Sequence, residues 1–582
     1  MSKYSHQNIL ETVPGHLQPY IIDQNYNRYS SQDQAVWRYI MRNNINFLSK
    51  HAHPSYLKGL EKTGISIDQI PDVEKMNELL DKMDWRAVVV NGFIPPAAFM
   101  EFQAHKILVI SAEIRNIEHI LYTPAPDIVH EAAGHAPIIA DNTYAKYLQK
   151  FGEVGSKAMA SKMDFEVYEA IRHLSIIKEY PDTSEDEIRK AETDLKNKIK
   201  ANKIPSEATL LSRLHWWTVE YGLIGKPTNF KQYGAGLLSS VGESQHCLNP
   251  EVIKVPLSIR CVDYNYDITR MQPQLFVAED WQHLIDVLDE FAATMCFQNG
   301  GVDALEKAKE SKNVSTIEYS SGLQVSGILT KIRAGDQGEL TYIQLSGPSA
   351  LANQYKEIPG HGTDYHKDGF GSPVGKLYGC EKALEFFTKD DLIKYNIIKG
   401  EKASLKFNSG VIVKGTIEKI VRNDNMIQLI SFKNCQVADR KGSLLFQPEW
   451  GIYDMAVGEK IRSVFAGAAD KEKFNVLPPK SEEIAIEINF SKEKMRLFKL
   501  YQQVQDMRNT RSIDLDILND IEKKLSSTYP EEWLLYLEIL EHIRDLPEAS
   551  NLLRICMDRL EKLKRQSEKH RGLITDGLRL VG

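Results

Sequence analysis

The spacing of apolar residues changes twice along the chain and divides it into three regions. In YSSQDQAVWRYIMRNNINFL the apolar residues recur close to the period of a helix, behind two N-cap candidates, Ser30 and Ser31. Short β-branched runs bounded by Gly or Pro, such as WRAVVVNGFIPP, predict a few strands among the helices. The run EDWQHLIDVLDEFAATMCF predicts a closing helix. We therefore expect a mainly helical α+β domain over residues 30–312, after an extension over residues 1–29.

The second region alternates apolar and polar residues and is broken by Gly, as in STIEYSSGLQVSGILTKI and NMIQLISFKN. A period of two predicts strands. The motif S-G-x-x-V-x-G, followed by Lys-Ile, occurs at residues 321–332 and again at residues 409–420, which indicates a degenerate internal repeat. We predict a β-rich, barrel-like domain over residues 313–480, with one hairpin from each repeat. The Gly-, Pro- and Asp-rich residues 347–373 between the repeats predict a long loop.

The third region, residues 481–582, is helical again. Apolar residues spaced by three or four positions surround Trp533 and Leu560, and Pro547 separates the two runs. This pattern predicts a helical hairpin or a short helical array, through which the chain could form an oligomer. The closing KLKRQSEKHR could contact an acidic partner, but a solvated helix end is the favoured interpretation.

Composition and charge exclude several classes of protein. The net charge of -7 and the pI of about 6.2 argue against nucleic acid as a partner. The six cysteines form no CxxC pair, so we expect reduced thiols rather than a disulfide framework or a zinc knuckle. The N-terminus lacks the apolar core of a signal peptide, and no apolar run is long enough to cross a bilayer. We expect a cytoplasmic protein that does not bind membranes.

The segment TPAPDIVHEAAGHAPIIAD carries the clearest chemistry. His130 and His135 are one position too far apart for the H-E-x-x-H motif of zinc proteases, whose histidines share a helix face. On an ideal α-helix the two side chains would diverge by about 140°. The backbone must therefore distort if both imidazoles bind one ion. Gly134 and Pro137 mark places where a helix could end.

A third metal ligand is needed, and Glu220 in LHWWTVEYGLIG is the best downstream candidate. Burying an unpaired carboxylate in so aromatic a segment would be costly, and coordination to a cation would remove that cost. Two His and one carboxylate leave open positions on the metal, an arrangement that suits ferrous iron and O2. Two alternatives stay open at this point. The first is a zinc-dependent hydrolase that uses HEAAGH, and the second is a pair of structural histidines with no metal.

Four ordered motifs then give a resemblance: IRNIEHILYTPAPDIVHEAAGHAP, LHWWTVEYGLIG, YGAGLLSSVGESQHCL and YDITRMQPQLFVAEDW. In this order they resemble the aromatic amino acid hydroxylases, the family of phenylalanine, tyrosine and tryptophan hydroxylases. The resemblance implies the family's catalytic fold, with Fe(2+) held by His130, His135 and Glu220. It also implies a tetrahydropterin as cofactor, with O2 and an aromatic amino acid as substrates.

The resemblance also implies roles for individual residues. Arg115 would bind the α-carboxylate of the substrate, Asp127 would hold that arginine, and Thr123 would add a hydrogen bond. Ser239 would orient a ligand histidine, and Ile268 falls at a position linked to substrate choice. The ring of the substrate would lie against Pro126, Trp216 and Tyr221. The pterin would stack on Phe99 and contact the backbone of Gly92, Phe93 and Ile94 and the side chain of Glu131.

Departures from the family pattern bear on the substrate. His215 and His246 replace residues that are usually aromatic, and we expect neither change to touch a ligand. The apolar Ile268 argues against tyrosine, so we predict phenylalanine as substrate, hydroxylated to tyrosine, with tryptophan second. The layout resembles the long bacterial phenylalanine hydroxylases. The role of residues 313–582 stays open, and one view makes this half a binding or assembly module that merely carries a hydroxylase domain.

Overall fold

The computed structural model describes residues 6–120, 126–179, 183–268, 270–474 and 490–581. The first region is mainly helical, as its apolar spacing predicted. Two short π-helices, Val129–His135 and Trp216–Glu220, interrupt the α-helices. The α-helices of this region are His6–Leu10, Ser31–His51, Ser55–Thr63, Val73–Leu80, Pro96–Ala104, Ala136–Ile139, Asn142–Gly155, Lys162–Glu179, Glu185–Ala201, Glu207–His215, Ala235–Ser239, Val241–His246, Trp281–Ala292, Cys296–Asn299 and Gly301–Ser311.

The long helix Ser31–His51 begins at the predicted place and is central to the fold. Ser30 is its N-cap: the Ser30 side chain accepts a hydrogen bond from the backbone of Asp33, whose carboxylate accepts one from the backbone N–H of Ser30. Most residues of this helix are buried. Its Asn44 side chain donates to the backbone oxygen of Leu238 at 3.1 Å, so the helix supports the segment that reaches the candidate site.

Two small sheets accompany these helices. In the first, Arg86–Val90 pairs in parallel with Ile107–Ser111 and antiparallel with Ile21–Ile22. The second has four strands, in the order Asn229–Gln232, Leu223–Lys226, Gln274–Ala278 and Ile253–Pro256. Residues of the N-terminal extension, including Val13 and Leu17, pack against the first sheet and helix Pro96–Ala104. The extension is therefore part of the folded unit.

The β-rich region forms two sheets, which corrects the prediction of one barrel-like structure. Each copy of the repeat begins a long antiparallel hairpin, but the two hairpins recruit different flanking strands and so belong to different sheets. The six-stranded sheet contains Val314–Tyr319, Leu323–Ala334, Leu340–Asn353, Lys356–Glu357, Gly369–Pro373 and Ile461–Ala466. The five-stranded sheet contains Lys402–Lys406, Ile412–Asn423, Met426–Ala438, Leu444–Phe446 and Tyr453–Ala456, and helix Lys389–Lys394 precedes it.

The long loop predicted over residues 347–373 is mostly strand. Leu340–Asn353 and Gly369–Pro373 enter this stretch from both sides and pair with one another, and Lys356–Glu357 adds a short strand, so that residues 354–355 and 358–368 lie outside named strands. Gly and Pro in this stretch favoured a loop. In the structure, Gly347 and Pro348 lie at a register shift in the ladder of Leu340–Asn353, and Gly369 and Pro373 lie at the two ends of a strand.

The C-terminal helices share one hydrophobic core with the first region. Leu518, Leu537 and Leu560 are fully buried in the same cluster as Trp37 and Ile40 of helix Ser31–His51. The predicted boundary at residues 480 and 481 lies outside the described residues. The predicted helical pattern around Pro547 is confirmed, and the helices of this end are Lys471–Phe474, Lys492–Thr510, Leu515–Thr528, Leu534–Ile543, Ser550–Gln566 and Glu568–Val581.

All six cysteines are free thiols, as expected. Across the described ranges, no helix is long and apolar enough to traverse a bilayer.

Candidate functional site

The two histidines of HEAAGH lie on a π-helix. In a π-helix each backbone N–H donates to the carbonyl oxygen five residues earlier, rather than four as in an α-helix, so each turn is wider. The wider turn brings His130 and His135 to the same side, with their Nε2 atoms 3.2 Å apart. The distortion predicted from their spacing is therefore present. Gly134 permits close packing here, because a Cβ at this position would lie 2.8 Å from the backbone oxygen of Ala235.

Glu220 meets these two imidazoles from a second π-helix. Its Oε2 lies 3.1 Å from His130 Nε2, and its Oε1 lies 3.4 Å from His135 Nε2. The carboxylate is buried, and burial alone would raise its pKa, but the two histidines hold the pKa well below its usual value. The structure thus brings together the three side chains that the sequence singled out as metal ligands.

Ser239 fixes the orientation of the first imidazole. The Ser239 hydroxyl donates to the backbone oxygen of Ala235 at 2.7 Å and lies 3.1 Å from His130 Nδ1. Because the Ser239 hydroxyl donates its hydrogen bond to Ala235, its oxygen acts as the acceptor of a hydrogen bond from Nδ1–H of His130. In the neutral tautomer that this contact favours, the Nε2 lone pair of His130 is directed toward Glu220. Lone pairs that converge at this distance repel one another unless a cation lies between them, so these donors fit a bound metal ion.

Glu131 is a second carboxyl group beside the cluster. Its Oε2 is 3.8 Å from His135 Nε2, and within the described ranges this oxygen is buried without a hydrogen-bond partner. Burial raises the pKa of Glu131 to about 8. Glu131, His130 and His135 are close enough to hold a metal ion together. Glu220 is nevertheless the closer carboxylate, because it approaches both imidazoles within 3.4 Å.

Arg115 and Asp127 form a buried, two-pronged ion pair next to the ligand histidines. Arg115 donates from Nε and from Nη2 to the two oxygens of Asp127, both at 2.8 Å. The same carboxylate accepts the backbone N–H of His130 at 3.0 Å. The guanidinium also approaches the backbone oxygen of Ser239 at 3.4 Å. The predicted Arg115–Asp127 contact is therefore present and is tied directly to the π-helix.

An aromatic stack forms one wall near the ligands. Trp216 stacks on Tyr266 with ring centroids 4.4 Å apart, and its other ring neighbour is Tyr221 at 4.7 Å. Tyr266 was not singled out from the sequence, although its position two residues before Ile268 in YNYDITRMQP was a usable signal. Ile268 lies half-buried in a turn, and Pro126 is half-buried before the first π-helix. Thr123 lies outside the described residues.

The residues expected at the pterin follow strand Arg86–Val90 and lie on the next helix. Gly92, Phe93 and Ile94 are half-buried and follow strand Arg86–Val90. Gly92 has a φ of +58°, a conformation that favours glycine. Phe99, on helix Pro96–Ala104, is half-buried and points its ring edge-on to His215, with centroids 6.0 Å apart.

The expectation that His215 stands away from the ligands is wrong. Its Nδ1 lies 3.6 Å from Glu220 Oε1, and burial lowers its pKa to about 4. His215 precedes Glu220 by five positions, the same spacing as His130 and His135, and the intervening backbone is again a π-helix. That spacing was the signal that could have placed His215 beside the ligand. His246, the other departure, ends helix Val241–His246.

Comparison with known proteins agrees with this geometry. The family model described as biopterin-dependent aromatic amino acid hydroxylase matches residues 22–171 and 202–301. The intervening stretch holds the end of helix Lys162–Glu179 and helix Glu185–Ala201, which pack on one another. The family match leaves out residues 172–201, which contain the end of the first of these helices and all of the second.

Two bacterial relatives are each 28% identical to the chain and cover 46% of it. They are the phenylalanine-4-hydroxylases of Chromobacterium violaceum, of which 76% is covered, and of Mesorhizobium japonicum, of which 82% is covered. The human phenylalanine-4-hydroxylase is also 28% identical, with 50% of its length covered. A crystal structure of the Chromobacterium violaceum enzyme aligns with 47% of this chain and 85% of its own, at 27% identity and a TM-score of 0.38.

The family match spans the two π-helices, the Arg115–Asp127 pair and the segment that carries Ser239. Residues 22–171 and 202–301 of this chain are therefore similar to the biopterin-dependent aromatic amino acid hydroxylases.

Proposed function

We propose that this chain is a tetrahydropterin- and iron-dependent phenylalanine 4-monooxygenase, which uses O2 to convert L-phenylalanine to L-tyrosine. The observation that carries the proposal is the convergence of His130, His135 and Glu220, whose ligand atoms lie within 3.1 to 3.4 Å of one another. The sequence relatives named phenylalanine-4-hydroxylase support the choice of substrate.

The ligand set favours ferrous iron over zinc. Two imidazoles and one carboxylate on one face of a metal leave the opposite face for exchangeable ligands, which is the arrangement of non-haem iron oxygenases. A hydrolytic zinc site needs only one such position. Ser239 holds His130 in the tautomer that binds metal through Nε2. Glu131 is left out of this ligand set because it approaches only His135, and at the longer distance of 3.8 Å.

Arg115 is the group that would bind the α-carboxylate of the amino acid. A buried guanidinium is always charged, and Asp127 uses its Nε and one Nη while leaving other N–H donors free. Because Asp127 also accepts the backbone N–H of His130, the arginine and the iron ligand keep a fixed relative position. In this proposal the amino acid is held at one end by Arg115, and its ring extends toward the metal ligands.

The ring of the substrate would lie against the aromatic wall. Trp216 is clamped between Tyr266 and Tyr221, so it presents a rigid apolar surface. Pro126 and Ile268 complete this side in the proposal, and the apolar Ile268 suits an unsubstituted phenyl ring better than a phenol. Such a wall excludes water from the reacting carbon, which keeps a strong oxidant from being lost to solvent.

The pterin would lie between Phe99 and the iron ligands. Phe99 offers a ring for stacking, and the backbone of Gly92, Phe93 and Ile94 offers peptide groups for the edge of the pterin. Glu131, whose unpaired oxygen faces the cluster, would hydrogen-bond to the cofactor. Bound together, ferrous iron and the reduced pterin supply the electrons that activate O2. The protein contributes binding, orientation and the exclusion of water.

Product analysis with purified full-length protein tests the substrate. Phenylalanine, tyrosine and tryptophan are each supplied with a tetrahydropterin, iron and O2. We expect tyrosine from phenylalanine at the highest kcat/KM. Faster hydroxylation of tryptophan would make the chain a tryptophan hydroxylase, and full zinc occupancy with no pterin-dependent O2 uptake would support the hydrolase instead.

Iron content tests the ligands. Glu220→Ala should lose most of its iron, because two imidazoles remain without the carboxylate. Glu243→Ala is the matched control: Glu243 is also buried, and burial raises its pKa to about 7, but it belongs to no cluster with the two histidines. We expect Glu243→Ala to keep its iron. Normal iron in Glu220→Ala would contradict the ligand assignment.

A further inference from the structure

A second group of metal-ligand side chains lies in the β-rich region. His361 Nδ1 and His366 Nε2 are 3.3 Å apart, and His361 Nδ1 is 3.9 Å from Asp454 Oδ2. All three residues are buried, with 5 to 8% of their surface exposed. One ligand atom from each lies within 4.8 Å of the others, close enough to share an ion.

The backbone around the two histidines is fixed. His361 donates its backbone N–H to Ile358 and accepts one from Leu351, both in short hydrogen bonds of 2.9 Å. His366 forms a β-bridge with Ser349 of strand Leu340–Asn353. Residues 358–368 are therefore held against the six-stranded sheet at both histidines. A loop held in this way presents its imidazoles without further ordering when an ion binds.

Asp454 approaches from the other sheet. It lies in strand Tyr453–Ala456, directly opposite Ser431, and the Ser431 hydroxyl donates to its Oδ1 at 2.5 Å. Its other oxygen, Oδ2, is buried without a hydrogen-bond partner among the described residues, and the Tyr365 hydroxyl interacts with the Asp454 carboxylate. Oδ2 is the oxygen that faces His361. A hydrogen bond that orients a carboxylate while leaving the inward oxygen free is typical of a metal ligand.

Among the described residues, the ion-pair partner of Asp454 is an imidazole, that of His361. In the described part of the chain, no lysine or arginine forms an ion pair with Asp454. Lys419 pairs in register with Ser431 on the next strand, but its side chain is exposed. A buried carboxylate with one free oxygen and no lysine or arginine beside it is costly unless it coordinates a cation or pairs with a protonated imidazole. A divalent cation between Oδ2 and the two imidazoles would remove that cost.

We propose that His361, His366 and Asp454 bind a divalent transition-metal ion, Zn²⁺ by preference, at a site separate from the iron site. Tetrahedral zinc with bonds of about 2.0–2.1 Å places its ligand atoms roughly 3.3–3.4 Å apart. The two imidazole nitrogens already have this separation. Asp454 Oδ2 must approach His361 Nδ1 by about 0.5 Å from its present 3.9 Å, and it must also approach His366, whose ligand atom lies within 4.8 Å. Zinc binds such nitrogen and oxygen donors more tightly than ferrous iron does.

The fourth position of the ion would face the exposed side of the loop. Tyr365 lies there, with 49% of its surface exposed and its ring edge-on to that of His366 at 4.7 Å. The site would thus accept a water molecule or a small anionic ligand as the fourth donor. Because the histidines belong to one sheet and Asp454 to the other, the ion would also join the two sheets.

The test measures metal at this site alone. In the full-length chain with His130→Ala and His135→Ala, both imidazoles of the iron site are removed, so added Co²⁺ reports on the second site. We expect one equivalent of Co²⁺, with the visible absorption of a four- or five-coordinate ion, and its displacement by Zn²⁺. Adding Asp454→Asn, which keeps the size of the side chain and the Ser431 hydrogen bond, should abolish the absorption.

Two further variants keep the test decisive. Asp368→Asn is the matched control. It removes one negative charge, as Asp454→Asn does, but at an exposed residue of the loop that carries the two histidines, and it should leave Co²⁺ binding intact. His366→Gln should lose binding as Asp454→Asn does, with an unchanged far-ultraviolet circular dichroism spectrum. In otherwise unaltered protein, elemental analysis should give one zinc besides the iron, and Asp454→Asn should lose only the zinc. A chain with His130→Ala and His135→Ala that binds no Co²⁺, or equal binding with and without Asp454→Asn, would overturn the proposal.

Discussion

A buried ion-pair network joins the C-terminal helices to the first region, and Glu538 is at its centre. Glu538 Oε2 accepts hydrogen bonds from Arg38 Nε at 3.0 Å and from Arg508 Nη2 at 3.1 Å. The Arg38 and Glu538 side chains are only 1% and 4% exposed. Arg508 also donates to Glu541 at 2.9 Å. We predict that this network sets how firmly the two parts of the chain are held together.

Glu538→Gln is the informative change, because it keeps the shape of the side chain and removes its charge. Arg38 would then be a buried cation without an anion, whereas Arg508 would keep Glu541. Removing one partner of a buried ion pair costs about 3–5 kcal/mol. The reverse change, Arg38→Met, should cost less, because Glu538 would still pair with Arg508 and methionine tolerates burial.

Urea unfolding of the full-length protein at pH 7, followed by circular dichroism and tryptophan fluorescence, measures these costs. Asp545→Asn is the matched control near the same helix: Asp545 pairs with Arg544, but their side chains are 86% and 47% exposed. It should change the free energy of unfolding by less than about 0.5 kcal/mol. An unfolding midpoint for Glu538→Gln equal to that of the unaltered protein would refute the reasoning.

The same network predicts a dependence on pH. Burial would raise the pKa of Glu538, but Arg38 and Arg508 lower it below the usual carboxyl value. A group with a lowered pKa adds stability above its unfolded pKa and loses that contribution as the pH falls through the folded pKa. The difference between Glu538→Gln and the unaltered protein should therefore be full at pH 7 and shrink under acid conditions.

Two more predictions test other parts of the structure. Arg115→Lys removes the two-pronged contact with Asp127 and should raise the KM for phenylalanine by about 10–100-fold, the equivalent of roughly 1.5–3 kcal/mol, with a smaller change in kcat. Steady-state kinetics with an unchanged KM would exclude Arg115 as the carboxylate-binding group. His16→Ala removes a hydrogen bond of 2.8 Å to Glu101. Burial lowers the pKa of His16, but the contact with Glu101 outweighs burial, and the pKa is raised above its usual value of 6.5. The bond should therefore stabilise the folded protein by about 1–2 kcal/mol below pH 6.5, and this contribution should be lost as the pH rises through the pKa of the folded state. If His16→Ala lowers the free energy of unfolding by the same amount at pH 5.5 and at pH 9, the protonation of His16 does not stabilise the fold.

The ligand pair and its distorted backbone could be predicted because they depend on local sequence. The spacing of His130 and His135 is incompatible with one face of an α-helix, so a shared ion required another conformation. The structure supplies it as a π-helix. Glu220 is remote in sequence, and it was recognised through its aromatic surroundings and the family resemblance. Tyr266 lies within a recognised motif, but its stacking on Trp216 could not be predicted because it depends on how two distant segments meet.

The packing of the C-terminal helices could not be predicted for a related reason. Apolar periodicity shows that one face of a helix is buried, but it does not show which surface covers that face. Leu537 and Leu560 were recognised as apolar positions, yet only the fold reveals that they share a core with helix Ser31–His51. The prediction that this region forms an oligomer stays untested. Much of the apolar surface that suggested an oligomer is buried within the chain itself.

The two candidate metal sites show why spacing alone cannot identify a ligand pair. His130 and His135 are five positions apart on a π-helix, and His361 and His366 are five positions apart in a loop, yet both pairs bring their nitrogens within 3.3 Å. The same spacing is therefore compatible with unrelated backbones. What the two sites share is a remote, buried carboxylate without a lysine or arginine partner among the described residues. Because an unpaired charge is the costly feature, that missing counter-ion is the stronger indication of a metal.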